Sequence, residues 1–456
     1  MERKITVYTL VVVLFFGTIG AVGFGASVRH VVLGGNLLGW VGEVMVTIAK
    51  YPALVRQVFT DIQKPPLFIR DRFPDLEGFK KSGKFPGGVI ADDGFLLLSS
   101  FNTKFGQSTI RLIRIRDQHI VHEWVPDIEE LEAQNDRKNQ LYMPILASHT
   151  RWLHPLILDD GGLVFHTSQS PLFKIDVCSN LEWVVEGIFH HAIESDAEEN
   201  YWVSTFLQPS SYEGTGLNHR DDAIAKVSPN GEILYRKSVT RILEKNGYRG
   251  LIAAGYWYDY LHMNDVQPAL SDSEFWQKGD LLVSLAHLST VFLYRPSTDV
   301  IIWLKTGPWL EQHDVDFFGN SSFTVLSNNI IDIPQDITQR IKKNKLQLDG
   351  QNFIYKYDFK NDTYTKPYAA MLKKMDVRTL FEGKYRILDS EDIIYEESNY
   401  GRILRFNSGR LKWQFVNRVG DDYLSQVNWT RYLTNEETQP IIKKLQNTSC
   451  KEVGGL

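Results

Sequence analysis

From Gly87 onward, short apolar runs alternate with polar turn residues in a repeating order. Residues 281–307 show the pattern most clearly: LLVSLAHL, TVFLYRP and DVIIWLKTG, rich in Val, Ile, Leu, Phe, Tyr and Trp and bounded by Gly, Pro, Ser and Asp. Such composition and spacing predict strands. Outer hairpins are predicted from Arg111, Leu172, Ala223, Val291 and Arg402, with Asn230-Gly231 and Ser408-Gly409 as turn dipeptides. A blurred sixth starts at Asn352, after a polar insertion. Inner strand pairs are predicted from Gly87, Trp152, His190, Leu261, Gln312 and Lys384. The cycle repeats every ~50–70 residues, within reach of propeller repeats once loop insertions are allowed. No amphipathic helix of convincing length lies within 87–420. The expected fold is all-β, a six-bladed β-propeller with an N-terminal transmembrane helix.

The N-terminal pattern differs. Residues 5–28 carry no charge, with Arg3 and Lys4 before them and Arg29 and His30 after. About 20 apolar residues cross a hydrocarbon core. The rival is a cleaved signal peptide. Ala26 suits its cleavage site, but Phe24 stands where a second small residue belongs. We expect an anchor, with the remainder of the chain on the periplasmic, extracytoplasmic side. Residues 31–62 read as a second helix interrupted by Pro52, at the membrane surface or serving as a stalk, and 63–85 as a linker. The expected organisation is 1–30 anchor or signal segment, 31–85 stalk and linker, 86–420 propeller and 421–456 tail. The tail either closes the ring or covers a channel mouth.

Composition narrows the partners. The 456 residues are 43% hydrophobic and carry a formal net charge of −5, with no long basic run, so nucleic acid is not an expected partner. Two cysteines, Cys178 and Cys450, exclude a disulfide framework or a cysteine-rich zinc site and leave a single bridge open. Insertions fall at 126–150, 207–221, 240–260 and 330–350, where long loops build binding faces. The aromatic run 252–260 suits either interblade packing or a substrate wall.

Histidines recur at the openings of inner strands: His191 in HHAI, His262 in HMND and His313 in QHDV, with His154 at the same phase earlier. In a propeller such positions converge on the central channel. His190 is expected to point away from His191, because strand neighbours alternate. Three converging imidazoles suit a metal site, or a nucleophile with proton-transfer partners. Asn264 follows His262 two residues later and is a candidate donor to substrate oxygens.

The blocks HHAIESDAEENYWV, HMNDVQ…GDLLVSL…STVFLYRPSTDVIIW and QHDVDFFGNSSFTVLSNN, over roughly 80–425, resemble the PAPS-independent bacterial arylsulfotransferase family. The resemblance implies a six-bladed propeller, no cofactor, and ping-pong transfer of a sulfuryl group from an aryl sulfate donor to a phenolic acceptor through a sulfohistidine. It implies His313 as nucleophile, His191 and His262 as catalytic partners, and Asn264 among the oxygen-binding positions. One departure stands out: Ala286 occupies the place of the family's arginine, with His287 next to it as a further substrate-binding candidate. His287 alternates to the opposite face unless a bulge turns it inward. Ala286 therefore also admits a non-catalytic propeller that binds a ligand or partner. The histidines alone admit a metal-dependent hydrolase or lyase.

Overall fold

The structure is a computed structural model. It describes residues 7–32, 37–42, 44–49, 51–52, 68–70, 72–73, 78–81, 90–133, 147–212, 220–254, 259–333, 344–419 and 422–450. The chain divides into two units, one of 1–64 with 208–218, the other of 65–207 with 219–456.

The first unit holds one long helix, Val7–Val32, whose apolar stretch is wholly unburied. At 1.5 Å per residue its 26 residues extend about 39 Å, enough to cross a membrane. By length and composition it suits an anchor or a signal sequence. Residues 39–42 and 44–49 are also helical. Most of the expected linker lies outside the described residues.

The second unit is all-β and propeller-like. Four sheets have the blade pattern of consecutive antiparallel strands. One is Met263–Pro268, Leu281–Leu285, Thr290–Arg295 and Val300–Thr306. The next is Gln312–Phe318, Ser322–Ser327, Phe353–Asp358 and Thr363–Thr365. A third runs Lys384–Ile387, Ile393–Glu397, Arg402–Phe406 and Leu411–Val416, with Gly78–Lys81 added at its edge. The fourth joins both ends of the unit: Arg431–Leu433 pairs with Phe95–Leu97, followed by Gln107–Arg114 and His119–Trp124. A seven-stranded sheet spans 153–238. Its fourth strand, Leu181–Ser195, is 15 residues long and changes register against both neighbours.

Buried acceptors tie each inner strand to the next. The Val315 N–H donates to Asp265 Oδ2 (2.7 Å) and the Tyr385 N–H to Asp314 Oδ2 (2.8 Å). Those of Trp429 and Thr430 donate to Glu396 (2.9 and 2.6 Å). The circuit continues from the His154 N–H to the Asn428 carbonyl (3.1 Å), the Ile193 N–H to His154 Nδ1 (3.0 Å) and the Met263 N–H to Asp222 Oδ2 (2.9 Å). These bonds satisfy backbone donors that burial would otherwise leave costly. Aromatic rings fill the space between sheets. Trp303 meets Phe323 and Tyr357 of the following sheet at 5.4 and 5.0 Å.

The C-terminal segment continues past its strand into a helix, Asn435–Gln446, opened by a reciprocal Thr434–Glu437 cap. Ile441 and Leu445 join the core around Trp124 and Ile175. Cys450 is disulfide-bonded to Cys178, so the bridge that the sequence left open is formed. Two short helices, Val239–Lys245 and Arg249–Ala254, occupy part of the 240–260 insertion. The rest of its aromatic run, 255–258, lies outside the described residues, as do 134–146, 213–219 and 334–343 of the other insertions.

Candidate functional site

The inner strands do not run smoothly to their ends. His154, His191, His262, Asp314 and Trp429 adopt left-handed backbone conformations, with φ between 43° and 62°. Such conformations cost non-glycine residues about 1–3 kcal/mol each and cluster at functional sites. The pairing registers break at the same places, as between Met263 and Asp265 and between His313 and Val315. Each break turns a side chain out of the strict alternation of a strand.

His191, His262 and His313 come together. One ring nitrogen from each lies within 4.8 Å of the others. Ring centroids are 4.9 Å apart for His191 and His262, 6.2 Å for His191 and His313, and 6.4 Å for His262 and His313. Trp429 stands 5.8 Å from His191 and 6.2 Å from His313. His287 also reaches the cluster. The strand ends at Leu285, and residues 286–288 form a 3₁₀ turn. Alternation stops there, and His287 stacks on His262 at 4.3 Å. Its Nδ1–H donates to the Asp259 carbonyl (2.5 Å). Ala286 is fully buried, and its N–H donates to the His262 carbonyl (3.1 Å).

Two other candidates take structural partners. Asn264 is fully buried and donates through Nδ2 to the Gln312 carbonyl (2.7 Å) of the next sheet. Its Oδ1 has no hydrogen-bond partner among the described residues. His154 accepts the Ile193 N–H described above and packs on Trp429 at 5.5 Å.

Hydrogen-bond partners fix where the imidazole protons sit. Asn328 Nδ2 donates to the carbonyls of Thr379 (3.1 Å) and Glu382 (2.8 Å), both pure acceptors. Its Oδ1 therefore faces His313 Nδ1, 2.7 Å away, and can only accept. A neutral His313 ring in this setting carries its proton on Nδ1 and its lone pair on Nε2. His262 Nδ1 donates to Asp259 Oδ2 (2.7 Å), which also accepts from Arg220 Nη1 (2.9 Å). Burial alone would raise the Asp259 carboxyl, but His262 and Arg220 outweigh it and hold the group far below the usual carboxylate range.

His191 is arranged the opposite way. Its Nδ1 lies 2.7 Å from Nδ1 of His190, and Arg220 Nη2 donates to His190 Nε2 (3.0 Å). Loss of water, then the nearby His262, His190 and His313, hold His191 well below the ordinary imidazole range, so it is neutral at pH 7. Burial, then Arg220, does the same to His190. His190 does not point clear of His191, because the left-handed backbone at His191 interrupts the alternation.

A metal is the obvious test of such a cluster. His191, His262 and His313 form one set of close ligand atoms, and Asp259, His262 and His287 another. In the second set, the Nδ1 protons of both rings are committed to Asp259 through bonds among the set itself. In the first, His262 and His313 have second nitrogens donating outward, as metal ligands do, while the second nitrogen of His191 faces another imidazole, Nδ1 of His190, at 2.7 Å.

A cavity of about 410 Å³ lies toward the far ends of the same strands and is lined by Glu194, Asp316, Lys384 and Arg431 among others. Lys384 pairs there with Asp314 and with Glu194 (3.2 Å), and Arg431 with Glu194 (3.3 Å). These paired charges are distinct from the histidine cluster.

The model of the arylsulfotransferase (ASST) family matches residues 154–418, more than half of the chain and all three histidines. The chain belongs to the arylsulfotransferase family. No curated protein matches it. Among solved structures, a protein of unknown function from Bacteroides caccae is 12% identical over 75% of this chain and 99% of its own, with a TM-score of 0.43. TolB from Acinetobacter baumannii is 9% identical over 76% of this chain and 69% of its own, also at 0.43. A streptogramin B lyase is 9% identical over 78% and 98%, at 0.40. At these scores none bears on the chemistry of this arylsulfotransferase-family chain. Sequence reasoning missed Arg220, Asp259, Asn328 and Trp429. Asp259 and Asn328 fall within segments the sequence singled out, 252–260 and the block ending at Asn329, without a role being assigned to them, whereas Arg220 and Trp429 are brought near by the circuit of strands.

Proposed function

We propose that this chain transfers a sulfuryl group from a phenolic sulfate ester to a phenolic acceptor, with His313 as nucleophile. The observation that carries this reading is the bond from His313 Nδ1 to Asn328 Oδ1, which leaves the lone pair of the neutral ring on Nε2 beside two further imidazoles. In the first half-reaction Nε2 attacks sulfur, an N–S bond forms, and the S–O bond to the phenol breaks. The imidazolium of His262, supported by Asp259, gives its Nε2 proton to the departing phenolate. In the second half-reaction neutral His262 takes the proton of the incoming phenol, whose oxygen attacks sulfur and releases His313. General acid–base help of this kind contributes ~10²–10⁴ in rate. We retain His287 and Asn264 as substrate-binding candidates, His287 through its stacking on His262. No cofactor is required by this scheme.

The architecture we attach to it is a six-bladed ring. The seven-stranded sheet then counts as two blades that share the long strand Leu181–Ser195, one opening at Leu153 and the other at its bent end near His191. The helix Val7–Val32 serves as the anchor, with the propeller on the extracytoplasmic side of the membrane.

Incubation with a chromogenic aryl sulfate, followed by mass mapping at high pH, tests the reading. A sulfuryl adduct on His313, lost together with turnover in His313→Ala, is the expected result. One observation favours a second reading, a ligand-binding propeller without turnover: Ala286 is buried and brings no cation to the site. Binding of aryl sulfates with neither release of phenol nor an adduct would select it.

A further inference from the structure

Resting on the transfer reading above, we propose that Arg220 is a positioning residue that works through His190 to hold His191 as a neutral Nε2–H donor, the hydrogen-bond role left vacant by Ala286. The chain of bonds has one consistent direction. A guanidinium only donates; Arg220 Nη2 lies 3.0 Å from His190 Nε2 and 3.4 Å from its Nδ1, so the nearer Nε2 is taken as the acceptor. Neutral His190 therefore carries its proton on Nδ1 and donates it to Nδ1 of His191, 2.7 Å away. Neutral His191 is then obliged to carry its own proton on Nε2.

Arg220 is built into this place. It is 5% exposed. Its Nε bonds Asp222 Oδ1 (2.8 Å), and its guanidinium lies 4.9 Å from the centre of the Phe206 ring, which also packs on His190 at 5.9 Å. The second arm, Nη1, bonds Asp259, the carboxylate that receives the Nδ1 proton of His262. One guanidinium thus sets two imidazoles to different tasks. His262, backed by a carboxylate, gains and loses a proton. His191, backed by a cation, does neither and presents a fixed N–H. A neutral imidazole is a poor proton source for a phenolate, but a sound donor to the non-bridging oxygens of a sulfuryl group. The donor enters from the 220 side of the site instead of from position 286.

The test reads the tautomers directly. The full chain with ¹⁵N-labelled histidine is examined at pH 7 by two-bond ¹⁵N–¹H correlation. His191 is assigned by its loss in His191→Gln. The wild-type protein is expected to show His191 as the neutral Nε2–H form. In Arg220→Gln and in His190→Phe that form is expected to give way to a mixture or to imidazolium. Turnover is expected to fall by about 10²-fold in kcat, the cost of one preorganised donor, while the His313 adduct still forms. The His190→Phe protein keeps a planar ring in the same space, so it serves if Arg220→Gln does not fold. A wild-type His191 found as the Nδ1–H form or as imidazolium would overturn the proposal. So would retention of the Nε2–H form in both variants. Absence of any His313 adduct from the wild type, with the expected tautomer present, would count against sulfuryl transfer and leave the relay standing.

Discussion

Replacing Asn328 with leucine removes the acceptor that orients His313 while keeping a side chain of similar size. The structure sets the cost. Three hydrogen bonds disappear: to His313 Nδ1 and to the carbonyls of Thr379 and Glu382. The Thr379 carbonyl keeps a partner in Asn352 Nδ2 (2.7 Å). The Glu382 carbonyl has no such second bond among the described residues and is left to the full penalty of an unsatisfied group, ~1–3 kcal/mol. We expect the fold to survive with a loss of about 2–3 kcal/mol. His313 retains an alternative, because the Glu311 carbonyl lies 3.2 Å from its Nδ1. The proton therefore stays on Nδ1 and Nε2 stays nucleophilic, but the ring swings from its set position. Misplacement of a reacting group by about 1 Å costs up to ~10²-fold. Single-turnover release of phenol from a chromogenic aryl sulfate measures this. Expected is a 10- to 100-fold slower first half-reaction with the sulfuryl adduct still mapping to His313. An unchanged single-turnover rate in folded Asn328→Leu would refute the orienting role. An adduct that moved to another histidine would refute the assignment of the nucleophile.

Other consequences are quicker to check. His166 is fully buried, and burial pushes its imidazole down to about 4. The unfolded chain then binds a proton that the folded chain refuses, so stability falls as pH drops from the unfolded value of ~6.5 through about 4. Urea unfolding at pH 7, 5 and 4 should show a shallower acid loss for His166→Asn, by up to roughly 3 kcal/mol; parallel curves would contradict it. Gly401 has φ 62°, and a Cβ there would collide with the Ser425 carbonyl oxygen. Gly401→Ala should lower stability by more than the ~1–2 kcal/mol of left-handed strain alone, and an unchanged melting temperature would mean that the contact gives way. The Cys178–Cys450 bridge spans 272 residues of sequence. Cys450→Ser should cost about 2–4 kcal/mol, read as a lower urea midpoint that reductant does not reduce further.

The sequence determined a good deal by itself. Strand chemistry is local, so the alternation around 281–306 and the turn dipeptides gave the strands without any long-range information. The uncharged run at 5–28 likewise gave a helix long enough for a membrane, since length and charge are all that test needs. His262 and His313 stand where inner strands open, a phase written in the repeat; His191 instead lies well inside Leu181–Ser195, at a left-handed residue.

Tertiary structure decided what those histidines can do. Strict alternation sent His190 and His287 away from the cluster. Left-handed residues and a 3₁₀ turn, stabilised by neighbouring strands, brought them back. Proton positions depend on Asn328, Asp259 and Arg220, which lie 15, 3 and 30 residues in sequence from the histidines they touch. No motif at those positions announces a partner. The disulfide is a similar case, because pairing of Cys178 with Cys450 needs the C-terminal helix to dock on the sheet that carries Cys178. Hydrophobic patterning is a property of neighbours along the chain, whereas the polarity of a buried imidazole is set by whichever donor or acceptor the closed circuit of strands places against it.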